Sequence, residues 1–444
     1  MNRFSFLTGY LLVAAVLTAQ QPTYKFDFGT ARTAVGYIAI TPQTMFSYQT
    51  GYGLDGGSVT EAVDRSGNAV TGDFITSNKP FFFSVKLPDG NYDVRITFGD
   101  TKGTSATTVR TECRRLMLEN IRTTRGQLVT ESFTVHIKDS LIRNPARYIV
   151  SKVKLKEREY QYRHWDNLLT IEFNDSLPKV CAVEIIPNTT GATIFLAGNS
   201  TVVDQDREPW AAWGQMFPRF LVPGKVTVAN YAESGETMKA FNGERRLEKI
   251  WSLGKAGDYL FIEFTHNDQK TGGNHLDAFT TYKETLKEWI KEARNRKIIP
   301  VLVTSMHRRK FDSSGHIINT LENYPEAMRQ TAKEEDVALI DLNAMSKILY
   351  ETWGVEKSLK AFVHYPANTF PGQDKKLEDN THFSPYGGYQ LARCVIGSIQ
   401  QQNLSLAKFI RKDVTPFNPV QPLPFENFYW PQSVVVELAK PDGN

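Results

Sequence analysis

Short apolar runs separated by turn residues fill residues 22 to about 188. They alternate apolar and polar positions or stay apolar, and turns such as Pro88-Asp89-Gly90 lie between them. This pattern predicts an all-β domain, and the spacing of the runs is typical of a β-sandwich. The predicted strands are YKFDFG (24–29), FFFSVKLPDG (81–90), NYDVRITFGD (91–100), FTVHIKD (133–139), LLTIEFND (168–175) and VCAVEIIP (180–187).

The pattern changes at residue 191, where apolar strands begin to alternate with amphipathic stretches. Strands joined by crossover helices pair in parallel, so we predict an α/β domain with helices on both faces of a parallel sheet. The predicted strands are 193–197, 225–229, 258–264, 298–303 and 337–341, and the predicted helices are 208–221, 237–252, 276–296 and 322–335.

Polar residues concentrate at the carboxyl ends of these strands, where open α/β sheets bind ligands. A further polar cluster, 379–385, precedes a last helix that Ser384 can cap with Pro385 at its first position. We therefore expect Asp379 and His382 in the loop entering that helix. The strand-end clusters are Gly198-Asn199-Ser200-Thr201, Ser234-Gly235-Glu236, Thr265-His266-Asn267-Asp268 and Thr304-Ser305-Met306-His307-Arg308-Arg309.

Composition narrows the class of protein. With 444 residues the chain exceeds the roughly 250 to 300 that one core accommodates, so at least two domains are expected. Hydrophobic residues make up 41% and charged residues 23%, as in globular proteins. The net charge of +4 indicates no nucleic-acid or membrane surface for the whole chain.

The N-terminus resembles an export signal. Arg3 precedes an apolar stretch, Phe6 to Leu17, and Leu17-Thr18-Ala19 suits cleavage before Gln20, so residues 1–19 are predicted to be a signal peptide. No other run reaches the roughly 18 apolar residues of a membrane span. The mature protein is expected in the periplasm or outside the cell, where a Cys113–Cys181 disulfide is possible.

Ester hydrolysis needs a serine, a base, a group that orients the base, and donors for the oxyanion. The strand-end residues can supply all four: Ser200 as nucleophile, His382 as base, Asp379 as its orienting acid, and the Ser200 and Gly235 amides with the Asn267 side chain as the oxyanion hole. Each also has a structural alternative, since Ser200 can cap a turn and Asp379 can cap a helix.

Metal and phosphate chemistry lack their motifs. The sequence contains no HExxH, no paired cysteines, no histidines at ligand spacing, no GxSxG and no P-loop. We expect neither a metal nor a cofactor.

Four ordered blocks resemble the SGNH (GDSL) hydrolases, particularly the rhamnogalacturonan acetylesterase group. They are Gly-x-Ser-Thr at 198–201, NYAESGETMKAF from 230, DYLFIEFTHND from 258 and DNTHFSPYGG from 379, within residues 193–402. The resemblance implies a three-layer α/β/α, flavodoxin-like domain over 191–412. It also implies removal of acetyl groups from pectic polysaccharide by Ser200, His382 and Asp379.

The same resemblance identifies substrate-binding candidates, among them arginines that would face an acidic sugar. They are His266, His307, Arg308 and Arg309. The strands of residues 22–188 resemble galactose-binding-like jelly rolls, which either bind sugar or only support the neighbouring domain.

Three positions depart from the family pattern: Asn199 where aspartate is usual, Glu236 where arginine is usual, and Thr265 where glycine is usual. They leave open an esterase for another acetylated glycan, or an impaired protein that only binds carbohydrate. Glu236 would repel a nearby uronate.

Two further segments carry expectations. The basic residues between Arg110 and Arg125 are expected to be solvated on an exposed sandwich loop. The tail 413–444, rich in proline and aromatic residues, is expected to extend along the body and to dock on the sandwich or reach the active-site cleft.

Overall fold

The computed structural model describes residues 23–434 and 440–442. Its first domain is built from two facing, mainly antiparallel sheets and a small hairpin. The strands are β1 (Tyr24–Phe28), β2 (Ile38–Ile40), β3 (Tyr52–Gly57), β4 (Glu61–Asp64), β5 (Asp73–Thr76), β6 (Phe81–Lys86), β7 (Gly90–Gly99), β8 (Ser105–Thr111), β9 (Arg115–Thr123), β10 (Leu128–Ile137), β11 (Leu141–Arg143), β12 (Ile149–Lys152), β13 (Leu168–Leu177) and β14 (Lys179–Pro187).

One sheet has the order β10-β7-β14-β1-β2, with β5 also on β14 and β4 on β5; the other has the order β3-β6-β13-β8-β9. Phe26, Phe28, Phe83 and Phe173 from the two sheets form edge-to-face and other contacts in the core between them. The predicted β-sandwich is thus confirmed, although the sequence pattern missed the short strands.

The second domain contains a five-stranded parallel sheet with the order β16-β15-β17-β18-β19, which is the flavodoxin-like arrangement that was predicted. The strands are β15 (Ala192–Gly198), β16 (Val226–Asn230), β17 (Tyr259–Glu263), β18 (Ile299–Val303) and β19 (Ala338–Ile340). Alternate residues of β15 enter different cores: Ile194 and Leu196 face one helical layer, Phe195 and Ala197 the other.

Helices cover both faces of this sheet. They are α1 (Trp213–Met216), α2 (Met238–Gly243), α3 (Arg246–Leu253), α4 (Lys283–Asn295), α5 (Tyr324–Glu334), α6 (Leu342–Lys357) and α7 (Pro385–Gln401). The single helix predicted over 208–221 is only α1 with a following 3-10 turn, Phe217–Phe220. The helix predicted over 237–252 is two helices, because Arg245 adopts a left-handed conformation with φ +64°.

Ser384 caps α7 as predicted, since its Oγ accepts a hydrogen bond from the Gly387 amide at 3.3 Å. The expectation that Asp379 and His382 lie in a loop was wrong. Both belong to β21 (Leu377–Phe383), which pairs antiparallel with β20 (Phe362–Tyr365) in a two-stranded sheet. Asp379 is the register partner of Val363, so the hairpin fixes the backbone that carries the acid and the histidine.

The basic run of the first domain is solvated only in part: Arg122 and Arg125 are exposed, as expected, whereas the other three arginines are buried. Arg110, Arg114 and Arg115 lie on or next to β8 and β9 and are buried. Arg114 and Arg115 contact the second domain, whereas Arg110 is covered by Trp430 of the tail. Buried guanidinium groups require paired carboxylates, and each has one. The pairs are Arg110 with Glu172 at 3.1 Å, Arg114 with Glu208 at 2.9 Å and Arg115 with Asp204 at 2.7 Å.

The described part of the tail contacts both domains. Tyr429 donates to Asp175 Oδ1 at 2.8 Å and Trp430 Nε1 donates to Glu208 Oε1 at 2.8 Å. The guanidinium of Arg110 lies 3.8 Å from the centre of the Trp430 ring, a cation–π contact. Residues 440–442 lie at the active-site cleft described below.

Cys113, Cys181 and Cys394 are buried free thiols, so the disulfide considered between Cys113 and Cys181 is absent from the structure. The predicted signal peptide, residues 1–19, lies outside the described residues. None of the helices within the described ranges combines the length and apolar character that a membrane crossing requires.

Candidate active site

Ser200, His382 and Asp379 are joined by hydrogen bonds at the carboxyl edge of the parallel sheet. The Oγ of Ser200 lies 2.9 Å from Nε2 of His382, and Nδ1 of His382 lies 2.8 Å from Oδ2 of Asp379. Ser200 follows β15 directly, whereas His382 comes from β21, 182 residues later. The fold therefore brings together the three residues that were predicted to form a triad.

Asp379 is held as an ionised acceptor. Burial alone would raise its pKa, but the hydrogen bond from His382 and those from the Thr381 and His382 amides, at 2.7 and 3.0 Å to Oδ1, outweigh burial and lower the pKa to about 2. A carboxylate in this state selects the tautomer of His382 that carries the proton on Nδ1, which leaves Nε2 free to accept the proton of Ser200.

The turn that carries Ser200 is organised by Asn199. Its Oδ1 accepts hydrogen bonds from the amide and hydroxyl of Thr201, at 3.1 and 2.9 Å. Its Nδ2 is buried and has no hydrogen-bond partner within the described part of the chain. The Asn199 side chain thus supplies the acceptor that the family's usual aspartate would supply, without the charge.

Glu263 lies behind this turn and was not among the predicted site residues. It ends the central strand β17 and accepts hydrogen bonds from Trp213 Nε1 at 2.8 Å and Ser305 Oγ at 2.9 Å. It also lies 3.1 Å from Thr201 Oγ1, whose single proton is shared between Glu263 and Asn199. Burial raises its pKa to about 7 in spite of these donors. One signal was present in the sequence: a carboxylate inside the otherwise apolar run DYLFIEF.

The oxyanion candidates lie around the same point. Within the described residues, the amides of Ser200 and Gly235 donate no hydrogen bond, so both remain available to a ligand. Gly235 has φ +81°, a conformation that favours glycine, and this aims the backbone of the 234–236 turn. Asn267 donates one amide hydrogen to the Glu236 carbonyl at 3.0 Å and keeps the other for an oxyanion.

Glu236, one of the three departures, does not face the cleft as a free charge. It is fully buried and forms an ion pair with Lys156 of the first domain. Burial raises its pKa to about 7, opposed by Arg246 and Lys156. The repulsion of a uronate expected from Glu236 is therefore offset by a cation that the other domain supplies.

His266 and Arg308 lie beside the triad. His266 is buried, with Nε2 3.1 Å from the Met306 carbonyl, and burial next to Arg308 and His382 lowers its pKa well below the usual value. Arg308 donates to the His266 carbonyl at 3.2 Å and interacts electrostatically with Asp379. A neutral histidine and an arginine thus form the wall of the site next to β18.

The other two substrate-binding candidates have different surroundings. His307 is buried, and its amide donates to Ser346 Oγ of α6 at 3.0 Å, so it lies on the helix side of the strand end. Arg309 donates to Ser358 Oγ at 2.9 Å and to Asn380 Oδ1 at 3.1 Å. Arg309 therefore braces the β20–β21 hairpin next to Asp379.

A cleft of about 280 Å³ adjoins the triad, and the first domain forms one wall of it. Trp210 packs edge-on against His382, with ring centres 5.9 Å apart. The lining combines aromatic and charged side chains from both domains, which suits a sugar ring with polar substituents. The lining includes Arg158, Tyr162, Arg207, Trp210, Lys440 and Asp442.

One group of potential metal ligands, Glu159, His164 and Glu233, occurs among the described residues, with ligand atoms within 4.8 Å of one another. Its carboxylates are already occupied: Glu159 accepts from Arg246 at 3.0 and 2.5 Å, and Glu233 from Arg158 at 2.8 Å. These guanidinium groups balance both carboxylates, so a metal would have to displace Arg246.

The fold and the hydrogen-bonded serine, histidine and aspartate are those of serine-dependent ester hydrolases. Comparison with known proteins agrees. Residues 196–388 match the GDSL-like Lipase/Acylhydrolase family, and residues 24–143 match the Beta-agarase/YXIM esterase-like, galactose-binding domain-like family. The chain belongs to the GDSL-like lipase and acylhydrolase family and is a carboxylic-ester hydrolase by class.

Individual relatives extend the comparison. Rhamnogalacturonan acetylesterase RhgT of Bacillus subtilis is 42% identical over 215 residues, covering 48% of this chain and 91% of RhgT. The uncharacterized esterase YxiM of the same organism is 25% identical over 407 residues, 88% of this chain and 94% of YxiM. The match to a crystal structure of YxiM has 24% sequence identity and a TM-score of 0.45. It spans 86% of this chain and 99% of the YxiM chain in that crystal structure.

Proposed function

We propose that the protein is an acetylesterase that removes acetyl groups from pectic polysaccharide of the rhamnogalacturonan type. The observation that carries this proposal is the unbroken series of hydrogen bonds from Asp379 through His382 to Ser200, beside two unoccupied amides. The similarity to RhgT supports the acetyl group and the pectic polymer as the substrate.

In the proposed reaction, Ser200 Oγ attacks the acetyl carbonyl carbon while its proton passes to Nε2 of His382. The Ser200 and Gly235 amides and the Asn267 side chain stabilise the oxyanion. The bond to the sugar oxygen then breaks, and that oxygen takes the proton from His382. Water, deprotonated by His382, releases acetate from the acetyl-serine and restores the Ser200 hydroxyl.

The charge of the cleft favours an acidic polymer. The side chains that the body of the protein contributes to the cleft and to the adjoining pocket beside Gly235 include four basic residues against one acidic residue. They are Lys156, Arg158, Arg207 and Lys270, against Asp206. Three of these cations also pair with carboxylates, Lys156 with Glu236, Arg158 with Glu233 and Arg207 with Asp206, so attraction of a polyanion depends on the donors that still face the cleft. The aromatic faces of Tyr162 and Trp210 can pack against sugar rings.

Acetate release from defined oligosaccharides tests the proposal. We expect turnover of acetylated rhamnogalacturonan fragments above that of acetylated xylo-oligosaccharides, and a loss of about 10³-fold or more in Ser200→Ala. Equal rates for wild type and Ser200→Ala on every acetyl ester would end the esterase assignment and leave a carbohydrate-binding protein. Faster turnover of acetylated xylo-oligosaccharides than of acetylated rhamnogalacturonan fragments would change the proposed substrate but keep the esterase assignment.

We propose from the predicted signal peptide that this activity is exported to the periplasm or medium, where a pectic polymer is accessible. Fractionation of cells that express the full chain, followed by N-terminal sequencing, tests this part of the proposal. Recovery of uncleaved protein from the cytoplasm alone would contradict it.

A further inference from the structure

The last described residues of the chain lie in the active-site cleft. Asp442 borders both the cleft at Tyr162 and Trp210 and a second pocket at Gly235, Asn267 and Lys270. A side chain added at Gly235 would meet the Asp442 Cβ at 3.2 Å. Lys440 lies 3.6 Å from Oδ2 of Asp379. The segment 440–442 therefore lies beside the catalytic residues, and its Asp442 lines both pockets.

Asp442 is bound there through Arg158 of the first domain. The Nε and NH2 groups of Arg158 donate to Glu233 at 3.1 and 2.8 Å, and NH2 also donates to the Ser234 carbonyl at 2.7 Å. These bonds fix the plane of the guanidinium and leave NH1 directed at the cleft, where it donates to the carboxylate of Asp442.

In the ion pair between Arg158 and Asp442, Arg158 is fixed by a buried partner whereas Asp442 is exposed to solvent. Glu233, which anchors Arg158, is buried with 1% of its side chain exposed, whereas the side chain of Asp442 is 65% exposed. An anchored guanidinium with one free edge is a preorganised carboxylate site. An exposed aspartate on such a site is a weak ligand that another carboxylate can replace.

We propose that Arg158 is a carboxylate-binding residue of the substrate site, and that Asp442 occupies it as an internal ligand in competition with an acidic sugar. Arg158 holds the carbonyl of Ser234, one residue before Gly235. A uronate carboxylate on NH1 would therefore lie next to the sugar whose acetyl group reaches Ser200. This inference rests on the proposed function and assigns its acidic-substrate specificity to the first domain.

Binding of unesterified trigalacturonate, measured by titration calorimetry on the full chain, tests the proposal without turnover. Asp442→Asn should lower the dissociation constant about two- to fivefold, the factor that a partly exposed ion pair supplies. Glu426→Gln, which removes an exposed carboxylate from the same tail, should leave the constant unchanged. Uncharged xylotriose should not distinguish Asp442→Asn from wild type.

A double-mutant cycle then tests the role of Arg158. Arg158→Gln should weaken trigalacturonate binding, Arg158→Lys should restore part of it, and Asp442→Asn should have no effect in the Arg158→Gln background. Equal binding by wild type and Asp442→Asn overturns the proposal. So does an Asp442→Asn effect that persists without Arg158, because that effect would be general charge repulsion.

Hydrolysis of 4-nitrophenyl acetate by the wild-type chain separates this inference from the proposed function. If the chain is an active esterase but the Asp442 and Arg158 substitutions do not change its affinity for trigalacturonate, the esterase assignment stands and the proposed carboxylate site is wrong. If the chain is inactive but the double-mutant cycle gives the predicted affinities, the proposed carboxylate site stands and the esterase assignment is wrong. If Arg158→Gln does not fold, as thermal unfolding would reveal, the comparison of Asp442→Asn with Glu426→Gln still decides.

Discussion

The ammonium group of Lys156 bridges the residues on either side of Gly235: it donates to the Ser234 carbonyl at 2.8 Å and forms an ion pair with Glu236. Lys156 belongs to the first domain, whereas Gly235 supplies a proposed oxyanion amide of the second. The position of that amide therefore depends on the contact between the domains.

Lys156→Met tests this dependence. The change leaves Glu236 buried without its cation, and burial has already raised the pKa of Glu236 to about 7. Because a raised carboxyl pKa means that stability is lost as pH rises from about 4.5 to 7, the variant should lose more stability at pH 8 than at pH 5. We expect a loss of about 3 kcal/mol of stability at pH 8, the lower end for a broken buried ion pair because the Lys156 side chain is 25% exposed, and a roughly tenfold lower kcat.

Urea unfolding at both pH values and acetyl-ester kinetics measure these effects. Lys156→Met with Glu236→Gln is the matched control, since it removes both charges and should recover most of the stability. A Lys156→Met variant with unchanged stability and kcat at pH 8 would show that the first domain does not support the Gly235 turn.

Asp379→Asn should nearly abolish turnover without unfolding the protein. The pKa of Asp379, lowered to about 2, keeps this group an acceptor at every pH of interest. An amide at this position can donate to Nδ1 and stabilise the wrong tautomer of His382, so kcat should fall about 10⁴-fold. Burst kinetics with an activated acetyl ester would locate the loss in acylation, and an unchanged melting temperature would exclude unfolding as its cause.

Part of the reaction centre could be anticipated because Ser200, Gly235 and Asn267 follow predicted strands, whereas Asp379 and His382 lie on β21, a strand that was not predicted. The carboxyl ends of parallel strands lie at one edge of the sheet, so Ser200, Gly235 and Asn267 were expected at the same edge. The burial of His307 against α6 could not be anticipated, because hydrophobic periodicity does not say which side of a strand end a helix covers.

Residues that act across the domain contact could not be anticipated. Arg158 and Lys156 stand in KLKEREYQYR, a charged stretch whose pattern is typical of a solvated loop. Burial of Arg110 and Arg115 depends on Glu172 and Asp204, which are distant in sequence. A charged run has no periodicity that distinguishes solvent from a domain interface, so only the packed structure assigns these residues.

Glu263→Gln should flatten the pH dependence of stability. The pKa of Glu263 is raised to about 7, so the folded state binds a proton more readily than the unfolded state does, and stability is lost as pH rises from about 4.5 to 7. A neutral amide removes that dependence. Relative to wild type, the free energy of unfolding of Glu263→Gln should increase by roughly 3 kcal/mol between pH 5 and pH 8.

Urea unfolding at several pH values measures this difference. Glu426→Gln makes the same chemical change at an exposed position, so its plot of unfolding free energy against pH should run parallel to that of wild type. A Glu263→Gln curve that also runs parallel to wild type would show that Glu263 is ionised throughout and does not titrate behind the nucleophile turn.

Asn199→Asp restores the family's usual residue and tests why this chain lacks it. The hydroxyl of Thr201 lies 2.9 Å from Asn199 Oδ1 and 3.1 Å from Glu263 Oε1, so an aspartate would place two carboxylates on one hydroxyl. The pair should share a proton at pH 5 and repel when both ionise above pH 7. Loss of the unpartnered Nδ2 should stabilise the variant at pH 5 by about 1 kcal/mol, and repulsion should destabilise it at pH 8 by a similar amount.

Stability and acetyl-ester turnover measured at both pH values decide this case. We expect activity within about tenfold of wild type, because both side chains offer the acceptor that Thr201 needs. Asn199→Asp with Glu263→Gln should lose the destabilisation at pH 8, since only one carboxylate remains. An inert wild type that gains turnover through Asn199→Asp alone would instead identify Asn199 as the change that disabled the nucleophile turn.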